Sequence, residues 1–544
     1  MSKKIMAMML ALAVVLGVFA GCGSIGTVPQ GGNAGNSPVN VDPTKAHITV
    51  ATWDGGLGSK WLEDAAAAFE ELYKDATNFE EGKTGVQVTI VASRSFDGSS
   101  MAFTPLTHDI YFVEAVDYYA MINNGQFADI TDVVTGSLSA YGEEGTIAEK
   151  LDPSLDEFLT YIDGKYYAVP FYESYYSFAY DLDLWDAKAF YMSADGGWCK
   201  KDGNLSAGPD GKAGTSDDGL PATYDDFAKL LSRIVDAGVT PFVTAGNAQD
   251  YMANLLYEFW ADYEGYDQMM LNFNFEGTAT DLISVSENGT VTKLGDTEIT
   301  IDNGYMLQQQ AGRYEVLQFA EDVLLSSDAN YKIIDTHTNA QKSFVRGGIA
   351  NDSPIAMIAE GSWWENEAKS AFTELDNAGY DRHNYAVMPM PHATADKIGQ
   401  KPTWLAMSNS YGFVASNCDN LSLAKEFMKF LHTDANLSAF TGEVNMTRAL
   451  NYEIAEADMA KLTTYAKSIL ELKENSDVIY PVSTVEEVIN NNILFAHFGW
   501  AWQTNINGYE FKNPWLYFKD EPNTSSEKYF NGQYAFFFKR WPAL

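Results

Sequence analysis

His47-Ile48-Thr49-Val50-Ala51, followed ten residues later by Trp61-Leu62-Glu63-Asp64-Ala65-Ala66-Ala67-Ala68-Phe69-Glu70-Glu71-Leu72-Tyr73, decides how this chain folds. The first run reads as a buried strand, and the second places its large apolar residues at helical spacing. Residues 86–92 (VQVTIVA) are strand again, and Asp109-Ile110-Tyr111-Phe112-Val113 is a third strand, followed by a helical stretch to 123 that Gly125 stops. Strands alternating with helices imply a parallel α/β sheet, because parallel neighbours need crossover connections.

Further along the chain, residues 165–169 and 175–180 read as paired strands flanking Pro170. Thr223 opens a helix with Asp226 three residues on, and Phe227, Leu230, Leu231 and Ile234 form its apolar stripe. The later half repeats the pattern, with strands at 355–358, 385–388 and 412–415 and helices at 363–371 and 423–431. Residues 271–301 mix short β-like runs with Gly and Asn and read as an insertion. A chain of 544 residues implies two or three lobes.

Composition narrows the function. Lys and Arg number 35 against 74 Asp and Glu, a formal charge of −39, where a nucleic-acid binder needs a basic footprint. Nucleic acid is therefore excluded as a partner. With 31 Phe, 31 Tyr and 12 Trp the chain is rich in flat faces to pack or to expose in a site. None of the seven histidines lies in a close metal-ligand pair such as H-E-x-x-H. Gly82-Lys83-Thr84 lacks the opening glycine of a phosphate loop, Gly56-Leu57-Gly58 lacks the third glycine of a dinucleotide fingerprint, and no G-x-S-x-G elbow occurs.

The N-terminus reads as an address. Lys3 and Lys4 precede an apolar run at 5–20, shorter than the roughly 20 residues that span a bilayer. Residues 1–21 are expected to be a signal peptide, and 22–45, rich in Gly, Ser, Asn and Pro, a tether reaching about 25 Å. Phe19-Ala20-Gly21-Cys22 resembles the bacterial lipobox, which implies a lipid on Cys22 and a protein held at the extracellular face of the cell membrane. Cys199 and Cys418 are free unless the fold brings them together.

Six stretches occur in a telling order: Ile48-Thr49-Val50-Ala51-Thr52-Trp53; His108-Asp109-Ile110-Tyr111-Phe112 with Gly125-Gln126-Phe127-Ala128-Asp129-Ile130-Thr131; Asp163-Gly164-Lys165-Tyr166-Tyr167-Ala168-Val169-Pro170; Leu220-Pro221-Ala222-Thr223-Tyr224-Asp225-Asp226-Phe227; Ile355-Ala356-Met357-Ile358-Ala359-Glu360-Gly361-Ser362-Trp363; and Ala424-Lys425-Glu426-Phe427-Met428-Lys429-Phe430-Leu431. Together, over about residues 46–450, they resemble bacterial extracellular solute-binding protein family 1, the lipoprotein receptors of sugar-importing ABC transporters. The resemblance implies an α/β, two-lobed, type II periplasmic-binding-protein-like fold whose lobes are joined by hinge crossovers. The lobes are expected at 46–171 with 360–411 and at 172–359 with 412–544. It implies a monomer that takes a carbohydrate, most readily an oligosaccharide, and passes it to permease subunits without altering it. The competing class is a secreted carbohydrate-active enzyme such as a glycoside hydrolase, which needs two carboxylates about 5 to 9 Å apart.

On this resemblance Trp53, Asp54 and Lys60 belong to the first ligand loop, Glu114 and Asp117 follow the third strand, and Glu173 lies at the hinge. Trp363, Trp364 and Glu365 follow a crossover strand. Val113 stands where relatives often carry an aromatic, which moves the expected stacking contact to Tyr118. Trp404, with Tyr411, Trp500 and Trp502, is a looser candidate. An indole covers the C–H face of a pyranose while carboxylates accept from its hydroxyls. Separately, Asp202, Asn204, Ser206, Asp210, Asp217 and Asp218 lie in a glycine-rich loop that reads either as a structural Ca²⁺ site or as a run of Asx turns; no other cofactor is expected.

Overall fold

The computed structural model describes residues 41–96, 98–349, 352–407 and 410–490, and then 502, 505–506, 509–510, 512–521 and 523–541. Ten strands form two five-stranded sheets: β1 (Ala46–Trp53), β2 (Val86–Ser93), β3 (Ile110–Val113), β4 (Ala168–Pro170), β5 (Tyr176–Asp181), β6 (Thr240–Ala245), β7 (Tyr331–Ile334), β8 (Ile355–Gly361), β9 (Tyr385–Val387) and β10 (Tyr411–Val414). The first sheet has the order β2-β1-β3-β10-β4 and the second β7-β6-β8-β5-β9. In the first, β1 runs parallel to β2 and β3 while β10 is antiparallel to both its neighbours. In the second, β6 runs parallel to β7 and β8, and β5 is antiparallel to β8 and β9.

The helices cover the faces that the strands leave apolar. Helix α1 (Lys60–Leu72) buries Trp61, Leu62, Ala65, Ala66 and Phe69, the stripe its spacing predicts. Next come α2 (Tyr118–Asn123), α3 (Tyr224–Asp236), α4 (Asp250–Asn274) and α5 (His337–Arg346). Thr223 caps α3 by accepting from the Asp226 amide at 3.2 Å. The expected helix at 363–371 is two pieces, Trp364–Glu367 and Lys369–Ala378, meeting at Ala368. Then follow α6 (Leu421–Leu431), α7 (Asp434–Val444), α8 (Thr464–Glu474) and α9 (Ser526–Arg540). Beyond the end of α4, two small antiparallel strand pairs fill residues 277–299.

Two expectations are corrected. β4 and β5 do not pair with each other: one belongs to each sheet, and residues 171–175 between them cross from lobe to lobe. The second and third lobe boundaries also move, because β8 and β9 stay in the second sheet and β10 returns to the first, followed by α6 and α7. Residues 360–387 therefore belong to the second lobe, and 411–444 to the first. Crossing points leave little composition signal, since each crossing strand is as apolar as the strands beside it.

The chain crosses three times, at 171–175, 388–410 and 445–463, and the crossings are laced together. Phe171 donates to the Ser410 carbonyl at 2.9 Å, Met407 to that of Ser174 at 2.9 Å, and Glu173 to that of Thr447 at 3.1 Å. The short strands Thr403–Leu405 and Asp477–Ile479 pair in parallel beside them. Under the first sheet, Arg448 is fully buried among Trp61, Phe112, Phe171 and Phe440, 5.1 to 5.7 Å from each ring. Its Nη2 donates to Nε2 of His432 at 2.9 Å and to the Pro170 carbonyl at 3.3 Å. The other ring nitrogen, Nδ1, donates to the Met428 carbonyl at 2.6 Å, which fixes a neutral tautomer. Burial, and then the Arg448 charge, hold His432 well below the usual imidazole range, and burial brings Arg448 down to about 9.

Candidate functional site

In open α/β sheets ligands bind beyond the carboxyl ends of the parallel strands. Those ends are Trp53, Ser93 and Val113 in the first lobe and Ala245, Ile334 and Gly361 in the second. The antiparallel β5 begins at the same edge, since Tyr176 is in register with Gly361.

Each lobe carries an indole on this edge, and each is seated over a glycine. A Cβ on Gly55 would fall 1.7 Å from the Trp53 ring, and a Cβ on Gly361 would fall 2.1 Å from that of Trp363. Any side chain at either position expels the indole. Trp363 meets Tyr176 edge-on, with centroids 5.3 Å apart and planes at 87°, and Tyr251, at the start of α4, at 5.7 Å and 75°. Tyr176 and Tyr251 are themselves 5.8 Å apart. The three rings form a corner in which Trp363 and Tyr251 remain half-buried. The Asn254 amide is close enough to act on the Tyr176 phenol, and the Trp363 indole on that of Tyr251.

Carboxylates surround this corner. Burial, and next the negative charge of Glu360, raise the Tyr251 phenol; Asn254 apart, burial and then Glu360, Asp250 and Glu114 act on Tyr176. Nε2 of Gln341 bridges two acids, donating to Glu367 at 2.8 Å and to Glu360 at 3.2 Å. Burial holds Glu360 well above the usual carboxylate range. The lobes approach each other here: a Cβ on Gly56 would come within 2.9 Å of the Glu367 Cγ, and the Glu114 charge reaches Tyr176 from the other lobe.

The residues expected from sequence fall into two groups. Trp53, Asp54, Glu114 and Trp363 lie at the strand ends that face across the hinge, half-buried. The Asp54 carbonyl accepts from Arg94 Nε at 3.2 Å. The others have structural work. Lys60 points out of α1 into solvent and pairs with Asp64. Asp117 caps α2 by accepting from the Ala120 amide at 3.0 Å. Tyr118 is buried, donates to the Leu159 carbonyl at 2.8 Å and packs on Phe127, Phe158 and Tyr411, so it offers no face to a ligand. Trp364 is fully buried among Phe344, Phe372, Tyr385 and Tyr465. Trp404, also fully buried, stacks on Tyr175 at 4.7 Å.

Glu173 is 1% exposed and serves the hinge: Tyr480 donates to it at 2.7 Å and Thr447 at 2.5 Å, and Lys473 pairs with it. Glu365 accepts from the Thr463 hydroxyl at 2.6 Å, and burial pushes it up to about 7. Trp502 lies over Arg313, 4.8 Å away, while Trp500, Cys22, the signal segment and most of the tether lie outside the described residues.

The glycine-rich loop is organised by its own amides. Asp217 accepts from Asp210 at 2.9 Å, Asp210 from Lys212 at 2.7 Å and Asp218 from Gly214 at 2.6 Å, while Asp202 and Asn204 are exposed and Ser206 pairs through its backbone. Among the described residues no group of three or more His, Cys, Asp or Glu side chains is placed to hold a metal ion.

Sequence reasoning passed over Tyr251, Gln341, Glu360 and Glu367. Glu360 stood inside a quoted motif, and Tyr251 follows the end of β6 by six residues, so the strand-end rule pointed at both. Gln341 and Glu367 carried no signal, since they meet only when α5 packs beside β8. Two hollows, of about 420 Å³ beside Tyr266 and Gln400 and of about 640 Å³ beside Asp132 and Lys425, lie away from the aromatic corner. Among the described residues no helix is long and apolar enough to cross a membrane.

No curated protein sequence matches the chain. Among solved structures it is similar to the GacH receptor of Streptomyces glaucescens, at 14% identity and a TM-score of 0.54 over 91% of this chain and 99% of that one. RafE of Streptococcus pneumoniae in its apo form is similar at 12% identity and 0.54, over 91% and 98%. The cyclic α-maltosyl-1,6-maltose binding protein of Arthrobacter globiformis is similar at 12% and 0.52, over 90% and 97%. At these identities the likeness is one of fold, that of two-lobed type II binding proteins. The profile of the bacterial extracellular solute-binding proteins matches residues 59–437, more than half the chain, and with the two hinged sheets already described it places the protein in that family.

Proposed function

We propose that this solute-binding protein is the receptor of an ATP-binding-cassette importer, that it captures an oligosaccharide between its lobes, and that a lipid on Cys22 holds it at the outer face of the cell membrane. The observation that carries the sugar assignment is the corner of Trp363, Tyr176 and Tyr251, set among carboxylates at the carboxyl end of β8 and approached by the Trp53 loop across the hinge. Aromatic faces take the C–H face of a pyranose, and acids accept from its hydroxyls. Structures of similar fold were solved with acarbose and with raffinose, which suits this reading. A ligand touching both lobes favours the closed state by its differential affinity, and permeases recognise that state.

The test is a thermal-shift and calorimetric screen of the purified chain against neutral and charged oligosaccharides, followed by product analysis. A ligand at about 100 times its dissociation constant adds about 2.7 kcal/mol to stability. The expected result is a stabilising glycan, recovered uncleaved, whose affinity falls at least about tenfold in Trp363→Ala. Cleaved glycan, or a panel with no stabilising member, overturns the proposal. Loss of acyl-chain labelling in Cys22→Ser tests the anchor separately.

A further inference from the structure

We infer that the saccharide taken by this cleft carries a positive charge, a protonated amine on a sugar ring, seated in the corner of Trp363, Tyr176 and Tyr251. The inference rests on the reading of the cleft as a sugar site and adds the ligand's charge.

Trp363 stands at 87° to Tyr176 and 75° to Tyr251, while the two tyrosines are tilted at 53°, and a corner of aromatic rings in which two remain half-open attracts a small cation as well as the C–H face of a sugar. The same corner is ringed by Glu360, Glu367, Asp250 and Glu114. Among the described residues neither Glu360, Glu367 nor Asp250 forms an ion pair with any Lys, Arg or His. Their recorded partners are neutral amides: Gln341 for both glutamates, and Asn513 for Asp250 at 3.2 Å.

Glu360 carries the argument furthest. It is 2% exposed, one residue before the glycine on which the indole rests, and its Oε2 has no hydrogen-bond partner, nor has Oε1 of the Gln341 that joins it to Glu367. Burial favours the protonated form of Glu360, so its unpartnered oxygen is a hydrogen-bonding deficit, while the charge at the corner belongs to the more open Glu367 and Asp250, which no cation among the described residues neutralises. A neutral hydroxyl remedies only the first. An ammonium group brings three donors and a unit positive charge, and its C–H neighbours on the sugar ring pack against the indole.

The test is calorimetry on the purified chain with three probes: the fully deacetylated glucosamine trimer, its N-acetylated counterpart and maltotriose. The amine-bearing trimer is expected to bind at least about tenfold more tightly than either neutral probe. That preference shrinks as ionic strength rises and falls toward parity in Glu367→Gln. Tyr251→Leu, which removes one face without touching a carboxylate, is expected to weaken the amine more than the N-acetylated probe. Neutral trimers binding as tightly as the amine, or a preference unchanged in both variants, overturns the inference while the sugar-site reading stands. Failure of all three probes and of the wider neutral panel removes both.

Discussion

Gly55 and Gly361 show how much of this site depends on side chains that are missing. Each leaves the space in which an indole lies, so Gly361→Ala is expected to displace Trp363 and cost at least about tenfold in glycan affinity, read by calorimetry, while the midpoint of urea unfolding moves little. A second residue-scale prediction concerns Glu365, whose carboxyl burial pushes from 4.5 to about 7. A raised folded pKa means that the native state holds a proton the unfolded chain has lost. Stability from this group is therefore greatest below pH 4.5, falls as pH rises toward about 7, and is level above. Glu365→Gln is expected to flatten that part of the melting-temperature profile between pH 5 and 8; an unchanged slope contradicts the assignment. Of the residues singled out from sequence, Trp53, Asp54, Glu114 and Trp363 are where a strand-end rule places them. Trp364 lies one residue beyond Trp363 yet points into the core, a difference set by the short helix that begins there and by no property of tryptophan.

Between residues and lobes stand the elements, and here the hinge governs. Glu173 joins three segments that the sequence separates widely, through Thr447, Lys473 and Tyr480. Glu173→Ala leaves a half-buried ammonium and two buried hydroxyls without their acceptor, and is expected to cost about 2 to 4 kcal/mol in urea unfolding. A loss below about 1 kcal/mol would show that the hinge does not rely on it. Arg448 plays the matching part under the first sheet: its removal leaves a cavity among four aromatic rings and takes the donor from His432 and Pro170. Arg448→Ala is expected to destabilise by about 3 to 5 kcal/mol. The strands and helices were legible because periodicity is local; β1, β2, β3 and α1 stand within a residue or two of their sequence positions. The hinge hubs were not, since a buried glutamate and a surface glutamate look alike in sequence.

As a whole molecule the chain is two parallel-cored sheets joined by three laced crossings, the architecture of a clamp. Binding of a glycan that touches both lobes is expected to lower the radius of gyration in small-angle scattering, and Trp363→Ala is expected to suppress that change. By itself the sequence determined the class of fold, the acidic net charge, and the order of motifs that marks the family, because composition and short-range periodicity act along the chain. Only the tertiary structure decided where the lobes divide, which aromatics are packing and which form a site, and that Gln341 bridges Glu360 and Glu367. Those facts depend on separate elements meeting at one sheet edge, some of them tens and others hundreds of residues apart in the chain, and no local pattern encodes which side of a strand will find a neighbour there.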